Sequence, residues 1–548
     1  MILEKNIINK NPLKVDIRFA LTYPNIYRTA MSSLGYQIIY NFINDREDSF
    51  AERVIYPNTR SNETNSPLRD FDIISFSLQY EQDYFNVLEL LKLEGIPLKR
   101  EDRSENDPLI IAGGPCASSN PLPLSDYVDI FVVGEGELVL NEFLDLYKCL
   151  KLDNLSIRDN LNRFLNINGL YISEFNNPTQ IAILDDMDSA YHITYPIATE
   201  TDEDEFAPVF SNSILLNVSR GCTRGCRFCM SSYLYRPLRE TSIEKLLETA
   251  KTARSQTGLN KVSLIGAAVA DYSKLDQLIC ALENEGFQIS TPSMRIESIT
   301  SDTLVSLKKS GLKTLTIAPE SIYNLRKSIN KDISDEVIFN VIEEAISLGL
   351  NLKLYFLIGL PKETDEDIKE LVTFIKNIDS MKHNIDSNSK TYGNIGSKIK
   401  DIGSKDSTKK SKVSIKFSVN PVIPKAHTPL QWETYDIKSI KSKIKYLKKE
   451  LKNINIKFDS AKLGLIQYIL SCGDKEVGYL IEESLNRKIS MKEWKEYIPN
   501  YEIGDSLPWD IIDVSVNKEF LLEEYEKIEN KDQTPWCEEH NCYNCGAC

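Results

Sequence analysis

The stretch Ile214-Leu-Leu-Asn-Val218-Ser-Arg-Gly-Cys222-Thr-Arg-Gly-Cys226-Arg-Phe-Cys229 joins a short apolar run to three cysteines spaced Cys-x3-Cys-x2-Cys. The apolar run reads as a buried strand, so the cysteines lie on the loop at its carboxyl end. Three thiolates on one short loop can hold three corners of a cubane iron–sulfur cluster. The fourth iron then has no protein ligand and is open to chemistry. Gly221 and Gly225 give the backbone room to wrap around so bulky an object. A zinc knuckle would need four ligands, usually as paired Cys or Cys/His sets, and the nearest histidine is the distant His192.

Outward from this loop, strand and helix alternate six times between about residues 205 and 430. Strands read at Ile214 to Val218, Val262 to Ile265, Gln288 to Ser290, Thr314 to Ile317, Leu352 to Ile358 and Val413 to Val419. Helices fit between them, as at Ser242 to Ser255 and Ser334 to Leu348. Six such units predict a partial (β/α)6 barrel with its chemistry at the carboxyl rim of the strands. Residues 380–412 are rich in Ser, Lys, Asn, Asp and Gly and read as a flexible insertion without a core.

Residues 1–195 repeat strand, glycine turn and helix: Val15 to Leu21, Asp72 to Leu78, Leu109 to Ala112 before Gly113-Gly114-Pro115, and Ile130 to Val133 before Gly134-Glu135-Gly136-Glu137. That pattern predicts a Rossmann-like parallel sheet covered on both faces. The fold class expected is therefore α/β, a sheet domain followed by a partial barrel, with a helical region at 431–508 and a cysteine-rich tail at 509–548.

Composition sets bounds. The 548 residues are 42% apolar and 26% charged, ordinary for a globular protein with two or three cores. There is no stretch apolar enough to cross a bilayer and no signal-peptide pattern, which predicts a cytoplasmic protein. Seven of the 11 cysteines fall in two tight groups, a pattern suited to metal binding in a reducing compartment. A net charge of −15 argues against nucleic acid as a bulk electrostatic partner. Lys438 to Lys457 is locally basic, but its apolar residues recur at helical spacing, so it reads as an amphipathic helix with a solvated lysine face; an RNA contact is the lesser alternative.

The string Cys222 to Cys229, with Phe228 before the last cysteine, resembles the signature of radical SAM (S-adenosylmethionine) enzymes. The resemblance implies a 4Fe–4S cluster on Cys222, Cys226 and Cys229, S-adenosylmethionine chelating the open iron, and reductive cleavage to a 5′-deoxyadenosyl radical. It also implies an external electron donor such as a ferredoxin or flavodoxin. Family members place cofactor contacts at the strand ends, which carries over here to Phe228, Gly266, Ala267, Ser293, Arg295, Glu320 and Gly359. The turn Gly266-Ala267-Ala268 keeps one glycine of the family's Gly-Gly-Glu-like turn and lacks its glutamate. Arg295 and Glu320 could instead pair with each other, and Gly359 could belong to a plain turn. Arg236 or Arg239 could tune cluster charge or bind substrate.

The segments Tyr23-Pro-Asn-Ile-Tyr27, Met31-Ser-Ser-Leu-Gly35 and Gly134-Glu-Gly-Glu137 resemble a group that joins a B12-binding-like domain to a radical SAM domain and a cysteine-rich tail. The chain has no histidine before His192 and no Asp-x-His-x-x-Gly loop, so a domain histidine cannot ligate cobalt; cobalamin itself stays open. Cys537, Cys542, Cys545 and Cys548, with His540 among them, could enclose a second iron–sulfur cluster or a zinc ion. His427 reads as a packing residue before an acid–base one. The activity expected is radical chemistry on an unidentified substrate, with group transfer or sulfur insertion, RNA among the substrates, as a subsidiary reading. Methylthio transfer in its usual form fits less well, since only Cys116 and Cys149 stand in the N-terminal region. The alternative of another class is a cluster or corrinoid carrier without radical chemistry.

Overall fold

A computed structural model describes residues 3–201, 203, 206–210, 212–291, 294–309, 311–384, 413–537, 542 and 544–548. The first sheet contains Ile17–Tyr23 (β1), Ser49–Ile55 (β2), Ile73–Ser77 (β3), Leu109–Gly113 (β4), Ile130–Val132 (β5) and Leu170–Ile172 (β6). Their spatial order is β2-β1-β3-β4-β5-β6. All pairings are parallel except β5 with β6. The sheet is therefore mixed at one edge, where the sequence predicts a parallel one.

Strand β2 has no simple apolar pattern, yet every residue in it is buried. Its charges are neutralised inside: Arg53 pairs with Glu4 and Glu63 at 2.6 Å each, and Glu52 with Arg18 at 2.8 Å. Helices Leu34–Asn44 (α1), Tyr84–Leu93 (α2) and Gly136–Leu152 (α3) follow the expected turns. The order in which strands are added switches side between β1 and β3, and in such sheets ligands sit at the carboxyl ends of the strands flanking that switch.

The second parallel set is Ile214–Asn217 (β7), Lys261–Ile265 (β8) and Gln288–Ser290 (β9), in that order, followed by Thr314–Glu320 (β10), Asn351–Ile358 (β11), Ile415–Pro421 (β12) and Ile456–Phe458 (β13). Backbone bonds from Met294 N–H to Thr316 O and from Arg227 N–H to Ile329 O, each at 3.1 Å, link the two halves. The six expected strands are present. A seventh, β13, pairs in parallel beyond them, inside the stretch that the sequence reads as helical.

Helix ends follow side-chain chemistry. Ser242 caps Ile243–Thr257 (α4) by accepting from Lys245 N–H, and Ser334 caps Asp335–Ser347 (α5) by accepting from Val337 N–H. The lysine-rich helix Ile437–Glu450 (α6) buries Ile440, Ile444 and Leu447 as its period predicts. Lys443 is the exception to the solvated face, buried against Glu363 at 2.6 Å. The tail is not a loose appendage up to Cys537. Lys518–Asn530 (α7) buries Phe520, Leu521, Glu524 and Ile528, and Trp509 is fully enclosed. Among the described residues no helix is long and apolar enough to cross a membrane.

Candidate functional site

The cysteine loop leaves β7 and returns through a tied neck. Ser219–Arg220 pairs antiparallel with Arg239–Glu240, so residues 221–238 form a closed excursion at the carboxyl rim. Gly221 stands in that neck at φ +83°. A Cβ there would lie 2.5 Å from Tyr235 O and closer still to Pro237 O, so only glycine fits. Cys222 and Cys226 are buried and Cys229 is partly so. Burial pushes the Cys229 thiol up to about 11, with Cys226 and Cys222 adding to it. Thiols that favour the neutral form must release protons on taking metal.

Arginines fasten this loop to its surroundings. Arg224 makes a two-point bridge to Asp271 at 2.6 and 2.7 Å and reaches Ser298 at 3.1 Å. Burial opposes the Asp271 charge, but hydrogen bonds from Arg224 and Ser298 outweigh it and hold that carboxyl below its ordinary range. Arg227 is fully buried, donating to Glu524 at 3.1 Å, Ser328 O at 2.8 Å and Asp532 O at 2.7 Å. Arg220 pairs with Glu137 at 3.0 Å and with Glu135 at 3.1 Å, and Arg239 pairs with Glu135 at 3.0 Å. The Gly-Glu-Gly-Glu segment is thus a clasp between the first sheet and the neck of the loop. Gly134 is pressed against the Ala182 backbone, with which it forms a bridge.

The other expected residues fall as follows. Phe228 is partly buried and packs against the main core. Arg295 Nη1 donates to Cys226 Sγ at 3.4 Å, while its Nε donates to Glu297 at 2.8 Å. Glu320 does not pair with Arg295. It lies at φ +65° and accepts from Lys331 at 2.9 Å. Gly266 and Ala267 follow β8, and a Cβ on Gly266 would meet Ser219 Oγ at 2.8 Å. The turn at Gly359 (φ +81°) backs onto Ile440 of α6, and its N–H donates to Glu363 at 2.9 Å. Ser293, His540 and residues 385–412 of the insertion lie outside the described residues. Arg236 lies under the loop, donating to Ser232 O at 2.7 Å with its guanidinium over the Tyr233 and Phe520 rings. His427 is buried, its ring shares a hydrogen bond with Ser119 O at 3.0 Å, and desolvation pushes its pKa down to about 4. It is a neutral packing group. Cys116 is buried and Cys149 exposed, on separate elements.

Among the described residues, Ser219 Oγ, Glu297 Oε2 and Arg224 Nη1 at this rim are buried without a hydrogen-bond partner. A polar molecule bound beside the cysteines would satisfy them. Together with three thiols and an arginine N–H aimed at one sulfur, they fit an iron–sulfur cluster with a small polar ligand. Among the described residues no three His, Cys, Asp or Glu side chains are arranged to hold one ion. Corner ligands of a cubane bind separate irons and do not need to converge on a point.

Sequence reasoning missed the residues that fix the loop. Asp271, Asn330, Glu524 and Trp536 come from four distant segments, and no local spacing marks them. At the switch point of the first sheet, Asn25 donates to Asp83 at 2.6 Å, and Glu81 is buried under Lys425 and Gln467 from the far side. Burial, then the charge of Glu81, raises Asp83 to about 7 against the hydrogen bond from Asn25.

Comparison with known proteins finds two family matches. The family described as "Radical SAM superfamily" matches residues 216–375, and "Radical SAM proteins, N-terminal" matches residues 35–173. An uncharacterized protein of Methanocaldococcus jannaschii is 31% identical over 489 residues, covering 86% of this chain and 93% of that one. An uncharacterized methyltransferase of Pyrococcus horikoshii is 24% identical over 277 residues, 49% of this chain and 58% of that one. The solved structure of the cobalamin-dependent S-adenosylmethionine radical enzyme OxsB overlaps 97% of this chain and 83% of its own at 15% identity, with a TM-score of 0.44.

Proposed function

The chain belongs to the radical SAM superfamily, and on that premise we propose that Cys222, Cys226 and Cys229 hold a 4Fe–4S cluster at which S-adenosylmethionine is reductively cleaved. A cluster held by these three thiolates would supply the one electron needed to cleave the sulfonium to methionine and a 5′-deoxyadenosyl radical. The observation that carries the assignment is the loop itself. Three thiols stand on one excursion closed at its neck, and the N–H of Arg295 meets Cys226 Sγ at 3.4 Å.

The protein's own residues supply position and charge. Hydrogen bonds to cluster sulfurs are among the features that set cluster potential, and Arg295 is placed to make one. Ser219 and Glu297 offer a hydroxyl and a carboxylate to the polar groups of the bound sulfonium. Gly266 keeps the end of β8 thin enough to approach Ser219. A low-potential donor of the ferredoxin or flavodoxin class supplies the electron. Group transfer is the favoured reaction class, supported by the partial likeness to the Pyrococcus methyltransferase. Cobalamin has no step in this proposal. The Asn25–Asp83 and Glu81–Lys425 pairs stand at the carboxyl edge between β1 and β3, and no histidine stands on that sheet.

Anaerobic reconstitution with iron and sulfide, reduction, and chromatography of the products test this. The wild type should convert S-adenosylmethionine to 5′-deoxyadenosine, and Cys226→Ala should not. Undiminished product from Cys226→Ala would overturn the assignment.

A further inference from the structure

The tail carries its own thiol set. Cys542, Cys545 and Cys548 are spaced Cys-x2-Cys-x2-Cys, with Cys537 five residues before them. That triplet is the spacing at which bacterial ferredoxins ligate a 4Fe–4S cluster, the fourth thiolate coming from elsewhere in the chain.

The structure seats this turn firmly. Asn517, at the start of α7, donates its backbone N–H to Cys545 O at 2.7 Å and its side chain to Asn544 O at 3.4 Å. Gly546 is pressed on the same residue, where a Cβ would stand 2.6 Å from Asn517 Oδ1. Cys545 is buried, and the N–H of Asn544 meets Cys542 Sγ at 3.5 Å, an amide-to-sulfur contact of the kind that tunes cluster sulfurs. Cys548 lies within electrostatic reach of the other three thiols.

The segment leading into the turn forms the back of the catalytic loop. Cys537 N–H donates to Thr223 O at 3.3 Å, one residue after Cys222. Trp536 lies 3.1 Å from the Arg224 guanidinium. Asn330 stitches the two together. Its Nδ2 donates to Arg224 O at 3.1 Å, Gly225 O at 3.3 Å and Thr534 O at 3.2 Å, and its Oδ1 accepts from Thr534 N–H at 2.9 Å.

We infer that Cys537, Cys542, Cys545 and Cys548 form a second iron–sulfur site whose own polypeptide is the rear wall of the loop bearing Cys222, Cys226 and Cys229. The catalytic assignment of that loop is the only part of this that rests on the function proposed above. Filling the tail site fixes residues 534–537, and through Thr223 and Asn330 it fixes the backbone beneath the first three thiols.

The test counts metal and sulfide after anaerobic reconstitution of the full chain, in the wild type and two variants. Two sites predict about eight irons and eight sulfides in the wild type, and about four of each in Cys222→Ala/Cys226→Ala/Cys229→Ala, where only the tail can bind. Cys542→Ser/Cys545→Ser/Cys548→Ser should lose the tail share, and its amides at 222–227 should exchange faster. Should a triple variant fold poorly by circular dichroism, the wild-type count still decides between one cluster and two. A loop variant free of iron, or holding one zinc without sulfide, overturns the inference and leaves the catalytic reading intact. A wild type with only about four irons, all kept by the loop variant and lost by the tail variant, overturns the catalytic reading instead.

Discussion

Gly221→Ala isolates the neck of the cysteine loop. Two costs add. An L-residue at φ +83° in the left-handed region is strained by about 1–2 kcal/mol. The new methyl would also lie 2.5 Å from Tyr235 O and nearer still to Pro237 O. Both are backbone atoms, held by the ladder that joins Arg220 to Arg239, so they cannot swing away as a side-chain end would. Overpacking of that kind costs about 1–3 kcal/mol. The expected total is roughly 2–5 kcal/mol, enough to open the neck locally. Gly258→Ala is the internal control, since that glycine caps α4 at φ +76° with nothing within 4 Å of the added methyl. It should show the conformational strain alone. The assay is iron retained per chain after reconstitution, with melting temperature alongside. Gly221→Ala should lose most of its loop iron and melt below Gly258→Ala. If it retains iron like the wild type and melts with the control, the argument from the neck fails.

Asn330→Ala removes four hydrogen bonds between loop and tail and leaves a buried Thr534 N–H unpaired, a loss of roughly 2–4 kcal/mol. Amide exchange at 223–227 and 532–537 should accelerate together, and acceleration of one segment alone would refute the shared stitch. Asp83→Asn reports the switch point of the first sheet. The folded-state value of Asp83 is raised from the model-peptide range to about 7, so its stabilising contribution is full below about pH 4 and is lost as pH rises through 7. The advantage of Asp83→Asn over wild type should therefore grow between pH 4 and 7 and level off at up to about 4 kcal/mol. A melting-temperature difference that stays flat with pH would refute it.

What the sequence reveals and what it hides divide along physical lines. Strands β7 to β12 are visible because buried parallel strands are short apolar runs ended by glycine turns. The cysteine loop is visible because its chemistry is local. Strand β2 is hidden because Glu52 and Arg53 interrupt the apolar run, and their partners Arg18, Glu4 and Glu63 come from elsewhere in the chain. Strand β13 is three residues long with Lys457 at its centre. The partners of Arg295 and Glu320 are misread for a related reason. Both residues stand at the rim, but Glu297 is two residues from Arg295 and Lys331 eleven from Glu320, and these nearby groups take the ion pairs. The Gly-Glu-Gly-Glu segment is conspicuous as a motif, yet its use as a clasp on Arg220 and Arg239 appears only in three dimensions.

The loop concentrates positive charge in a chain of net charge −15. A cubane held by three thiolates is itself negative, so these arginines invite reading as a bath of compensating charge. The pairings argue otherwise. Arg220 and Arg239 are bound to Glu135 and Glu137, Arg224 to Asp271, and Arg227 to Glu524. Those carboxylates come from three parts of the fold: the start of α3, the exit of β8, and α7. A buried arginine closely paired with a carboxylate presents little net field beyond the pair but fixes geometry strongly, because breaking such a pair leaves a charge stranded. Arg220, Arg224, Arg227 and Arg239 therefore act as fasteners that hold the loop to the first sheet, to the barrel and to the tail. Arg295 differs in kind. It too has a carboxylate, Glu297, but one N–H is left over and points at Cys226 Sγ. Arg295 thus makes a direct contact with a thiol of the set, while the other four are tied to carboxylates.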